Sequence, residues 1–318
     1  MSSENPVLVY GLYAAGLLVF GILYTLSLKK AGRKLLCAPV AAAFGLILAV
    51  IGARFFSLLP DLIFGGGFWD PEYFVTLSAD GMSFTGGCAG FVLGAVLAAK
   101  VCREGRKAAL DAMALPGCVL VAFAHLAETG IGYINLGDMP SFLPACWPFA
   151  ILNGWGLPDL SVSTLEALFA LLCALWLKLS EKRAAAPGCR FETAVWMLCA
   201  AQMFLEMLCT TSSWIPFIIS FIHLEQVLCA VVLLAVMIRR TVRIKKAGPL
   251  IATVLLLGLN ALMQFVQDKP YLFPLPEGTD IATLAVIVFA LTAAGLIAVW
   301  LWAAKAQSSS CGTSSKGS

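Results

Sequence analysis

The chain has 318 residues, of which 60% are hydrophobic and only 12% charged, and its mean hydropathy is +0.91. A soluble domain carries about twice that share of charge, so the composition excludes one and indicates a polytopic membrane protein. The formal net charge of +3 is too small to define a nucleic-acid surface, and no nucleic-acid partner is expected.

Crossing about 30 Å of hydrocarbon takes roughly 20 apolar residues. In chain order the apolar runs predict nine spans, at about 6–28, 36–59, 84–101, 109–132, 163–180, 192–211, 214–238, 248–267 and 281–304. The first is too long for a secretory signal and lacks a small-residue cleavage site before KKAGRK, so it reads as a span. Basic residues gather in alternate loops. KKAGRK (29–34), KVCREGRK (100–107), KLSEKRAAAPGCR (178–190), RRTVRIKK (239–246) and the C-terminal tail hold 19 of the 21 Lys and Arg, leaving Arg54 and Lys269. The loops between them (FWDPEYF, GDMPSF, TTSSWIP, QDKPYLFPLPEGTD) are acidic or neutral. The positive-inside bias then sets the N-terminus outside and the C-terminus in the cytoplasm.

The last two spans follow a basic break and read as an added hairpin. Residues 305–318, low in complexity, are expected to be disordered. The 11 cysteines are scattered singly, form no CxxC pair and read as small apolar packing residues.

Ionisable residues within the spans are functional candidates, since each is costly in hydrocarbon. They are Arg54, Asp111, His125, Glu128, Glu166, Glu206, His223 and Glu225, with Asp111 closest to a basic loop and Glu166 and Glu206 best placed for a cavity. Carboxylates outnumber cations among them, and no Lys or Arg occurs between Lys107 and Lys178. His125 and Glu128 are three apart and share a helix face. Two ligands make no metal site, so they read as a hydrogen-bonded pair, and neither metal nor cofactor is expected. The glycines of DGMSFTGGCAG (80–90) admit two uses: close helix packing, or a loop bringing N–H groups to an oxygen-rich ligand at a helix N-terminus. Their position at the mouth of the third span favours the second.

Five segments resemble, in order, landmarks of the prolipoprotein diacylglyceryl transferase family: VYGLYAAGLLVFG (9–21), IGARFF (51–56), WDPEYF (69–74), DGMSFTGG (80–87) and IHLEQVL (222–228). The likeness covers about residues 6–238. It implies an all-α integral membrane protein: a helical bundle of seven family-like spans (domain 1–247), followed by the extra hairpin (248–304) and the tail. It also implies a bacterial-type plasma membrane and transfer of diacylglyceryl from a phosphatidylglycerol-like phospholipid to the lipobox Cys thiol of a lipoprotein precursor, whose signal peptide would be a partner.

By resemblance, Tyr10, Arg54 and Glu206 are catalytic candidates, with His125 as a substitute base. Gly81, Ser83, Thr85, Gly86, Gly87, Asn135 and Gln226 are the substrate-binding candidates. Thr85 stands where the family has His. Glu128 or Thr129 stands where it has an essential Arg, and Gln202 and Cys209 stand near two further arginines of the pattern. Three readings stay open: a divergent transferase, a noncatalytic binder of lipid or signal peptide, and a protein handling protons or a cationic or zwitterionic substrate.

Overall fold

A computed structural model describes residues 6–59, 82–131, 135–139, 144–152, 156–181, 187–209, 214–217, 220–273 and 281–313. WDPEYF and Gly81 lie outside them. Nine α-helices occur among the described residues: α1 (Pro6–Lys30), α2 (Cys37–Ser57), α3 (Phe84–Val101), α4 (Arg106–Glu128), α5 (Val162–Leu179), α6 (Cys189–Leu205), α7 (Leu224–Ile244), α8 (Gly248–Asp268) and α9 (Ile281–Thr313). Eight of these are long and apolar enough to cross a membrane. The other, α7, carries Glu225 in its first turn and Arg239, Arg240 and Arg243 toward its end.

Two expectations are corrected. The seventh span does not begin at Trp214: Trp214–Phe217 (β4) and Ser220–His223 (β5) form an antiparallel hairpin, and the helix starts only at Leu224. Pro216 has no N–H to give a helix, and its aromatic and β-branched neighbours suit a strand. Glu225 therefore sits in the first turn of α7, where a negative charge complements the helix dipole. At the other end of the chain α9 continues to Thr313, so most of the tail expected to be disordered is helical.

The chain divides into two compact units, residues 1–194 and 195–318, and the boundary drawn at 247 falls inside the second. In the first, α2 and α3 meet along glycines. A Cβ on Gly86 would lie 2.6 Å from the Gly52 carbonyl oxygen and 2.7 Å from Phe56; one on Gly90 would strike the Leu48 carbonyl, and one on Gly94 the backbone of Gly45. Gly86, Gly90 and Gly94 thus form a small-xxx-small face that lets two backbones touch. Below the seam, Phe20 and Phe91 meet edge to face at 5.1 Å, and Tyr24 Oη donates to the Ala109 carbonyl at 3.3 Å.

Three basic loops gather at one end of this unit. Glu181 takes Lys30 and, at 3.8 Å, Arg190; Arg33 reaches Glu104 at 3.3 Å; Asp111 accepts the N–H groups of Gly188 and, at 2.9 Å, Phe191. At the opposite end the chain between α4 and α5 forms a three-stranded antiparallel sheet, in the order Leu136–Gly137 (β1), Pro158–Ser161 (β3), Ala150–Leu152 (β2).

The second unit is built on α7, α8 and α9. Trp196 and Trp300 stack at 5.1 Å, Trp196 Nε1 donates to the Leu296 carbonyl at 2.9 Å, and the Arg240 guanidinium lies 3.9 Å over the Trp300 ring.

Candidate functional site: a buried His–Glu–Glu cluster

Helices α4 and α5 run antiparallel, and three contacts mark their register. Ser163 Oγ donates to Glu128 Oε2 at 2.9 Å, His125 Nδ1 lies 3.0 Å from Glu166 Oε2, and the sulfurs of Cys118 and Cys173 are 3.6 Å apart. Between successive contacts the chain steps back three and then seven residues on α4 and forward by the same numbers on α5. These are close to one and two turns of helix, so one face of each is in play.

The first two contacts belong to a polar cluster at the end of the unit opposite the basic loops. His125 Nδ1 also lies 3.0 Å from Glu128 Oε2, a donor to it when Nδ1 carries the ring proton, and Asn135 Nδ2 donates to the same oxygen at 3.1 Å. One carboxylate oxygen then takes three donors. Asn135 is held by the sheet: its carbonyl accepts the Val162 N–H at 3.0 Å, while its own φ of 49° is a left-handed conformation that Asn tolerates. The side chains of His125, Glu128 and Glu166 are 2%, 9% and 1% exposed. Their ligand-capable atoms all lie within 4.8 Å of one another. The Phe84 ring stacks on the imidazole, centroids 3.9 Å apart. Such an arrangement can hold a proton or a cation, and a neutral imidazole donating from Nδ1 keeps Nε2 as its basic nitrogen.

The sequence candidates scatter around this centre. His125 and Asn135 are in it. Ser83 is the N-cap of α3: its hydroxyl accepts the Gly86 N–H at 3.0 Å, and its carbonyl accepts that of Gly87 at 3.0 Å. Gly86, and Gly90 beyond it, therefore have the first of the two uses weighed for the glycines, helix packing. A Cβ on Gly87 would make only ordinary contacts, at 3.6 Å and beyond. Thr85 is half-buried in the first turn of α3. Arg54 is buried in the last turn of α2. Tyr10 is 73% exposed.

Glu206 and Gln226 belong to the second unit. There Glu206 accepts from Gln202 Nε2 at 3.2 Å and pairs with His223 Nδ1 at 3.3 Å, while buried Gln226 donates to the Met203 carbonyl at 3.4 Å. Sequence reasoning named Glu166 as a cavity candidate without joining it to the His125–Glu128 pair, and it left Ser163 out. Glu166 was signalled by its charge in an apolar run, but nothing local marked Ser163.

Long apolar helices carrying buried polar clusters define a multi-pass helical membrane protein. Beyond that class, neither a protein-family model nor a curated protein matches the chain.

Proposed function

We propose that the protein is a membrane enzyme of the diacylglyceryl-transferase type, with the His125–Glu128–Glu166 cluster as its reacting centre. It sits in a bacterial-type plasma membrane, N-terminus outside and C-terminus in the cytoplasm, as seven spans and an extra hairpin. One observation carries the reading: Phe84, from the landmark segment DGMSFTGG, is stacked on His125. Asn135, a substrate-binding candidate by resemblance, bonds the Glu128 carboxylate in the same cluster.

The reaction has two demands. The acceptor thiol, with a free pKa of about 8.5, must lose its proton before sulfur attacks the glyceryl carbon. The C–O bond to phosphate then breaks, and the leaving glycerol phosphate carries the electron pair away. A buried His–carboxylate network meets the first demand by taking the proton. The second calls for cations or N–H donors, and those of Gly86 and Gly87 are already bonded to Ser83. That observation favours the second reading, a noncatalytic binder of lipid or signal peptide.

Complementation separates the two. The chain is expressed in cells depleted of their own diacylglyceryl transferase, and a tagged lipoprotein precursor is followed by gel shift. The transferase reading expects conversion to the lipidated form and a loss of at least 100-fold in rate for His125→Ala. Absence of conversion by a protein shown to be folded in the membrane sinks it in favour of the binder.

A further inference from the structure

Nδ1 of His125 carries at most one hydrogen, yet carboxylate oxygens from two helices, Glu128 Oε2 on α4 and Glu166 Oε2 on α5, each lie 3.0 Å from it. Hydrogen bonding along a single N–H does not call for that convergence. Coordination does. Neighbouring ligands about 2.1 Å from a first-row divalent ion stand about 3.0 Å apart in octahedral coordination and about 3.4 Å apart in tetrahedral coordination.

The surroundings suit a metal site as well. Ligating carboxylates are themselves held by outer hydrogen bonds, and Asn135 and Ser163 hold Glu128 in that way. A nitrogen and two oxygens are borderline to hard donors, which points away from Cu(I). The imidazole points away from Mg²⁺ and Ca²⁺.

We infer that His125, Glu128 and Glu166 form a binding site for one divalent first-row cation of the Zn²⁺, Mn²⁺ or Fe²⁺ class. Its chemical use, though not its existence, rests on the transferase reading. A cation held by these residues would help a bound thiol ionise and would offset the charge of a departing phosphate, the demand that the Gly86 and Gly87 N–H groups leave unmet.

The test uses the full chain in lipid nanodiscs, stripped with chelator and titrated calorimetrically with Mn²⁺, which ignores stray thiols, and with Zn²⁺. Metal content is counted after desalting. The expected result is one ion per chain, a thermal midpoint that rises when the ion is added, and affinity at least tenfold weaker in Glu166→Gln and in His125→Ala. Glu181→Gln, in the basic loops, is expected to match the wild type. Ser163→Ala, a milder change, is expected to weaken binding while keeping the fold. A wild-type chain that retains neither ion at micromolar concentration overturns the site, whatever the variants do. Equal uptake by Glu166→Gln and His125→Ala also overturns it. Ion uptake with no lipidated product in the gel-shift assay upholds the site and sinks the transferase reading. Lipidated product from a chain that holds no ion sinks the site alone.

Discussion

Asn135 does two jobs with one side chain. It accepts a left-handed backbone at φ 49° and bonds the Glu128 carboxylate. Replacement by Ala loses both, at a combined cost of roughly 2–3 kcal/mol. Asn135→Gly restores the backbone but not the bond, so its thermal midpoint should fall between wild type and Ala. Glu181, in the basic loops, offers a pH test. The Lys30 hydrogen bond, aided by the charges of Lys30, Arg190 and Lys178, holds its carboxyl below the ordinary value of 4.5. A carboxyl lowered in the folded state contributes stability above its unfolded pKa and loses it as pH falls through the folded one. Wild type and Glu181→Gln should therefore differ in thermal midpoint at pH 7 and converge well below pH 4.5. At this scale the sequence was partly legible. A charge in an apolar run announced His125, Glu128 and Glu166, but their convergence depends on the register of α4 against α5, which is set some 40 residues apart in the chain.

Between α2 and α3 the deciding feature is a backbone-to-backbone approach. Gly90→Ala puts a methyl group into the Leu48 carbonyl and should cost on the order of 1–3 kcal/mol. Gly117→Ala, where nothing lies within 4 Å, should be neutral or slightly stabilising. Thermal unfolding in detergent compares them; equal midpoints would mean that the seam carries no tight packing. The glycine pattern was visible in the sequence while its use was not, because a packing seam and a ligand cradle ask for the same missing side chain. The 214–223 hairpin was misread for a related reason: a short apolar run looks alike as buried strand and as helix, and Pro216 was the clue against helix.

For the whole molecule, charge was the most legible property. Apolar length alone marked the spans, and the loops at 29–34, 100–107 and 178–190, picked out only by their Lys and Arg, come together at one end of the first unit through Lys30, Arg33, Glu104, Asp111 and Glu181. Gathering on one side is what the positive-inside rule asks of them. The proposed orientation makes a direct prediction. Green fluorescent protein fused after residue 247 or after residue 313 should fluoresce, since it matures in the cytoplasm, and a fusion in the 135–161 connection should be dark. Bright fluorescence from that connection would invert the topology.

The ladder joining α4 to α5 governs more than position. Glu128–Ser163, His125–Glu166 and Cys118–Cys173 are rungs on rigid rods, so none can part without the others moving. Each rung runs from helix to helix, so parting any of them means displacing a whole helix. Movements of that kind take microseconds to milliseconds, against picoseconds to nanoseconds for an exposed side chain. Whatever the cluster holds is exchanged at the pace of the bilayer-embedded frame, and its residence time reports on that frame's stiffness.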